Sequence, residues 1–325
     1  TVLSMRSHDG VRVPGVLYHV PGSRIVATIM HPRLDLTRHY LTSLLTSAGI
    51  SVMAQGARSV GNDLSLIHEE AVLDAGAGFA RMREMGFETV IAVGASGGAT
   101  LYAMYVQQAA LAPSERLSVT PAGDPIPLAE ADLPVPDAIA FVAAHPGQGV
   151  LLEGCIDPSV ADESDIRSVV SELDPFDAAN GYAPAPTSST YTSDFVSRYT
   201  EAQRARIARI DEHALELVAE KAEAKLRYGE TKDPLARRIS ELGEVITVYR
   251  TDADLRTMDL SLDPSDRPYG SVQGSRPDIG NYSIRGFGRL STAEAWLSTW
   301  SAPHSNANFV RCAPGVEIPS LYVDY

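Results

Sequence analysis

Short apolar runs alternate, over the first 145 positions, with stretches in which apolar residues recur every three or four places. Residues 24–30, 50–54, 88–93 and 138–144 are continuous apolar runs of strand length, the pattern of strands buried on both faces. Between them, residues 37–48, 64–85 and 98–111 carry helical spacing, and the first two stretches stop at Gly49 and Gly86. Residues 11–20 alternate more loosely. Pro14 lacks a backbone donor, so this run reads as an edge strand. Strands alternating with helices predict an α/β fold: βαβ units and a mostly parallel central sheet flanked by helices.

From residue 150 the pattern changes. Residues 150–190 are rich in Asp, Ser and Pro and read as loops. Residues 193–228 predict one long amphipathic helix, capped by Ser193 or Asp194, with Phe195, Tyr199, Ile207, Ile210, Leu217 and Val218 along its apolar side. Residues 251–290 are loop-rich again, and a sheet strand returns only at 316–324. A connection of about 165 residues between two strands of one sheet is too long for a loop, so it predicts an inserted subdomain. The expected organisation is a core at 1–149, a mainly helical and loop-rich lid at 150–312, and a final core strand within 313–325.

Composition narrows the function classes. The 325 residues are 44% hydrophobic and 21% charged, an ordinary globular balance, with a net charge of -14. So acidic a surface repels phosphate backbones, which argues against a nucleic-acid partner. No stretch reaches the roughly 18 apolar residues of a membrane span. The first residues given, Thr1–Arg6, do not read as an apolar leader. Two cysteines, Cys155 and Cys312, cannot build a disulfide framework or a zinc site, and they read as thiols of a reducing cytoplasm.

The chemistry concentrates at Gly94-Ala95-Ser96-Gly97-Gly98, a G-x-S-x-G that follows a buried strand and opens a helix. A strand-to-helix turn this sharp needs small neighbours and leaves the Ser96 hydroxyl exposed at a helix N-terminus, where developing negative charge is favoured. Gly94–Gly98 fits neither the glycine spacing of a Rossmann fingerprint nor the Gly-Lys-Ser/Thr end of a P-loop. A plain Gly-rich turn, or one holding a phosphate, is the alternative. The second feature is His31-Pro32-Arg33-Leu34-Asp35, directly after the first buried strand. An acyl-transfer site needs two N–H donors for its oxyanion. Gly97 supplies one. Pro32 cannot donate, so the other falls to Arg33 or Leu34, with Arg33 favoured. His31 itself reads as a brace for this loop rather than as a base.

With these motifs in this order, the chain resembles the α/β-hydrolase superfamily along nearly its whole length, although the stretch 150–312 carries no recognisable lid motif and Pro32 departs from the usual His-Gly loop. The resemblance implies Ser96 as nucleophile, with the N–H groups of Gly97 and Arg33 as oxyanion donors. It also implies an acid and then a histidine after the last strand. That strand is 316–324 and the sequence given ends at Tyr325, so the acid and the histidine are expected past it in a truncated chain. Otherwise the partners are internal: His145 at the end of the strand after the elbow helix, His304 late in the insertion, or Asp324 as the acid.

Other features have plainer readings. Asp157, Asp162, Glu163 and Asp165 lack calcium-loop spacing and read as a solvated loop. Arg204, Arg206 and Arg209 read as a salt-bridged helix face. Trp296 and Trp300 read as lid core, or as lining for an apolar substrate. The expected function is therefore hydrolysis of a carboxylic ester or related acyl compound, the small-molecule substrate being bulky or apolar, through an acyl-enzyme on Ser96. No metal or cofactor is required. The alternatives are a C–C bond hydrolase or acyltransferase, a non-catalytic ligand-binding protein on the same fold, and a nucleotide-binding α/β protein.

Overall fold

A computed structural model describes residues 1–61, 63–272, 274–284 and 286–324, so Tyr325, the last residue of the expected final segment, lies outside the described residues. Internal contacts divide the chain into two units. The first holds residues 1–149, 297–299 and 303–325, and the second holds 150–296 and 300–302. Residues 303–312, expected with the insertion, thus fold with the first unit.

The strands in chain order are β1 (Val2–Arg6), β2 (Arg12–Tyr18), β3 (Ile25–Met30), β4 (Ser51–Gln55), β5 (Thr89–Ala95), β6 (Ala138–Val142), β7 (Val245–Thr247), β8 (Leu290–Thr292) and β9 (Ser320–Val323). The helices that matter here are α1 (Tyr40–Ser47), α2 (His68–Glu84), α3 (Gly97–Ala110), α4 (Gln148–Cys155) and α5 (Ser193–Thr231).

The first unit is built on a seven-stranded sheet of order β1-β2-β4-β3-β5-β6-β9. Pairing is antiparallel from β1 through β2 to β4, and parallel from β4 to β9. β3 and β4 are apolar almost throughout because both their faces are covered. On one face α2 and α3 pack with Phe79 between Tyr102 and Tyr105, at ring separations of 5.4 and 4.7 Å. On the other, Leu36, Leu41 and Leu45 close over Ile29, Val52 and Val93.

The topology also positions a site. From β3 the chain runs through α1 to β4 on one side, then through α2 to β5 on the other. The strand order therefore reverses between β3 and β5. In open α/β sheets the crevice outside the carboxyl ends of such neighbouring strands is where ligands bind. His31 follows β3 directly and Ser96 follows β5.

Three expectations are corrected. β2 is an interior strand, because β1 pairs along its outer side. Pro14 is tolerated there since its carbonyl accepts from Gly56 N–H, while its missing donor falls just past the Gly15–Gln55 end of the β2–β4 ladder. Residues 148–155 form α4 rather than the start of a loop. β9 begins only at Ser320, after Pro319, and all four of its residues are exposed.

The second unit is organised by the 39-residue α5. Its N-cap is Thr192, whose hydroxyl accepts from Phe195 N–H at 3.2 Å, one residue before the expected Ser193. Phe195 and Tyr199 pack with Tyr191, Leu255 and Met258. Asp157 is fully buried rather than solvated. Its carboxylate accepts from Arg250 Nε at 2.9 Å, Asn281 Nδ2 at 2.7 Å and Ser159 Oγ at 2.7 Å. Arg206 is likewise buried and pairs with Glu163 through two 2.7 Å hydrogen bonds. Arg204 and Arg209 pair with Glu153 and Glu163, which lie outside α5, rather than with acids of the helix itself. Asp162 and Asp165 sit on the surface, bonded to their own turns. Trp296 and Trp300 are both fully buried in this unit, and Trp296 Nε1–H donates to Asp211 at 2.7 Å.

Candidate active site

β5 ends in the turn the sequence predicts. Ser96 holds φ 53° and ψ -122°, a conformation that costs a residue with a Cβ about 1–3 kcal/mol and persists only where its surroundings enforce it. Here they do. Ser96 N–H donates to the Val142 carbonyl of β6 at 3.0 Å, and Ala99 N–H donates back to the Ser96 carbonyl at 3.0 Å. A Cβ on Gly94 would lie 2.5 Å from Ala99 Cα, and one on Gly98 would collide with the Met30 carbonyl. Ser96 is exposed although its neighbours on both sides are buried.

The residue after the nucleophile candidate is the most constrained. A Cβ on Gly97 would overlap Gln148 Nε2 and come within 2.9 Å of His31 Nε2 and 3.1 Å of His145 Nε2. Three side-chain nitrogens thus converge on the side-chain face of Gly97, at the first turn of α3.

Each ring has a defined proton. His31 Nδ1 accepts two backbone donors, Arg33 N–H at 3.0 Å and Leu34 N–H at 3.1 Å, so the neutral ring carries its hydrogen on Nε2. This is the loop brace read from the sequence, and it places the Arg33 amide against the His31 ring. His145 Nδ1 accepts Gly147 N–H at 3.1 Å, so its hydrogen is also on Nε2. His68 is the reverse. Thr299 Oγ1 gives its hydrogen to the Leu66 carbonyl at 2.7 Å and lies 3.1 Å from His68 Nδ1, so Nδ1–H donates and Nε2 is bare.

All three rings are held neutral. Burial pushes His31 down to about 3, helped by the Arg33 cation and by His145. Burial also takes His68 to about 3, with His145 and Arg33 adding to it. His145 falls to about 4 through burial and Arg33. The Arg33 guanidinium is fixed nearby by Asp63, with Nε donating at 2.8 Å.

Sequence reading missed two members of this cluster. His68 opens α2, and Gln148 opens α4. Gln148 is 1% exposed, and neither end of its carboxamide completes a hydrogen bond. His68 Nε2 faces it and is also unsatisfied. No motif marks either residue. Only the sheet's folding brings the segments after β3, β4, β5 and β6 to one edge.

The other candidates are placed as follows. Val142 pairs with both Ala95 and Val323, so Asp324 continues β9 at the same sheet edge as Ser96, two strands away, and it is exposed. His304 is half-buried in the first unit. Among the described residues Ser96 Oγ accepts or donates no hydrogen bond. Among them also, no group of three or more His, Cys, Asp or Glu is arranged to hold a metal ion, and no helix is long and apolar enough to cross a membrane.

No protein-family model and no curated protein matches the sequence. Solved structures resemble the chain at low sequence identity. The Pyrococcus furiosus esterase Pf2001 is 14% identical, with 47% of this chain aligned to 55% of that one at a TM-score of 0.35. DcsB, solved with a substrate analogue, is 12% identical over 99% of this chain and 79% of its own, at 0.44. A bacterial heroin esterase is 17% identical over 46% and 45%, at 0.31. The chain thus spans about half the length of the Pf2001 esterase. The strand order of the sheet, the strained serine at the end of β5 and the helix that follows it are the chain's own, and they make this an α/β-hydrolase-like fold.

Proposed function

We propose that the first unit carries a serine-hydrolase centre acting on a carboxylic ester or related acyl compound, with Ser96 as nucleophile. The observation that carries this reading is the exposed Ser96 at φ 53° between a buried strand and the N-terminus of a 14-residue helix. A turn held in that conformation by three glycines has a use if the hydroxyl must meet a substrate carbonyl. Ser96 Oγ would attack that carbon and give up its proton to a base. The C–O bond to the leaving alkoxide would break, the alkoxide would take the proton, and water would then release the acid from the acyl-serine. The Gly97 N–H, next to the nucleophile, suits the first oxyanion donor. The Arg33 N–H, expected as the second, would have to leave His31 Nδ1 to take that part.

A second reading, a ligand-binding protein on the same fold, is favoured by one observation: no described base accepts a hydrogen bond from Ser96 Oγ. Labelling with a fluorophosphonate separates the two. The hydrolase reading expects covalent phosphonylation that Ser96→Ala abolishes. The binding reading expects none in either protein.

A further inference from the structure

We infer that His31 Nε2–H, His145 Nε2–H and the Gln148 carboxamide form a side-chain pocket for an oxyanion beside the Gly97 amide. The inference deepens the hydrolase reading, since the ligand it names is the anionic oxygen of an acyl adduct or of a carboxylate product.

Four observations carry it. First, the three nitrogens surround one face of Gly97, the residue that follows Ser96. A Cβ there would collide with Gln148 Nε2, so only glycine lets the three nitrogens approach this closely. Second, both imidazoles present N–H and not a lone pair, because each Nδ1 is already occupied by backbone donors. Neither is oriented as a base, and both are oriented as donors. Third, Gln148 is almost wholly buried and neither end of its carboxamide reaches full hydrogen-bond geometry, with His68 Nε2 facing it. Leaving such a group unsatisfied costs about 1–3 kcal/mol per polar atom. A folded protein retains it where a ligand completes the bonding. Fourth, the pocket adjoins the first turn of α3, whose free N–H groups favour negative charge.

The arrangement also accounts for the Arg33 amide. In this loop the backbone donor is given to His31 Nδ1, and the ring passes donor capacity on through Nε2–H. A neutral imidazole is well suited to this task. It polarises a bound oxygen by donating its N–H without adding a charge of its own, as a neutral histidine does in triosephosphate isomerase. His68 completes the arrangement from the far side of Gln148: its bare Nε2 can accept one carboxamide hydrogen and leave the other for the oxyanion.

The test compares wild type, Gln148→Leu, Gln148→Glu and His145→Asn in two assays, with urea unfolding to confirm that each variant is folded. The first assay is the rate of Ser96 phosphonylation together with kcat and KM for p-nitrophenyl butyrate. Removing one oxyanion donor lowers kcat by about 10²-fold or more. The expected result is a fall of that size in kcat and in the phosphonylation rate for Gln148→Leu, a larger one for Gln148→Glu, and little change in KM. The second assay follows the ring Nε2–H resonances of His31 and His145 by NMR while Ser96→Ala is titrated with butyrate, and both are expected to shift. If Ser96 labels but the pocket variants react at the wild-type rate, the pocket is overturned while the hydrolase reading stands. If Ser96 does not label, the hydrolase reading fails and the butyrate titration decides alone. Shifts at both rings support an anion site, and unmoved resonances overturn it.

Discussion

Replacing His68 with Asn should flatten the acid side of the stability profile, and the size of the effect follows from burial. The ring is fully buried, its Nδ1–H donates to Thr299, and burial with the neighbouring His145 and Arg33 pushes its pKa down to about 3. In the unfolded chain the same ring titrates near 6.5. Between those two values the unfolded state binds a proton that the folded state refuses, so stability falls as pH falls. The contribution is intact above about pH 6.5 and is lost progressively down to about pH 3. At pH 5 the loss is about 2 kcal/mol. Asn offers an amide hydrogen in place of Nδ1–H and does not titrate. Urea unfolding of wild type and His68→Asn at pH 7.5 and pH 5 measures the difference. The wild type should lose about 2 kcal/mol more than the variant between the two conditions. Equal losses would show that His68 protonates readily in the folded protein, and would refute a buried, neutral histidine cluster.

Gly98→Ala drives a methyl group into the Met30 carbonyl, so it should destabilise the first unit by about 3 kcal/mol in denaturant titration and abolish Ser96 labelling. In the second unit, Asp157→Asn leaves the Arg250 charge buried without its counter-ion. A loss of about 3–5 kcal/mol on urea unfolding is expected. Thr192→Ala removes the cap of α5 and should cost about 1 kcal/mol, read as a lower unfolding midpoint.

The sheet was largely legible because its parallel strands are buried on both faces and so read as unbroken apolar runs. β1 escaped, since Val2 is exposed and the strand buries only Met5 fully, too little contrast to mark a face. Pro14 misled for a local reason. Proline is excluded only where its donor is needed, and the β2–β4 ladder ends one residue away. The elbow was readable because its glycines answer a steric demand that is itself local. The histidine cluster was not. His68 and Gln148 belong to it only because α2 and α4 begin at the same edge as Ser96, a consequence of strand order that no short motif encodes. Likewise Asp157 read as one of a solvated acidic group, since its partners Arg250 and Asn281 lie 93 and 124 residues along the chain.

On the reading proposed above, Ser96 is a nucleophile presented by its own strained turn. Intact-mass spectrometry after exposure to a fluorophosphonate, run on this chain and on Ser96→Ala, tests it most directly. One phosphonyl adduct, mapped by peptide sequencing to Ser96 and absent from the variant, is the predicted result. An unmodified wild type, or an adduct that persists in Ser96→Ala, would contradict it.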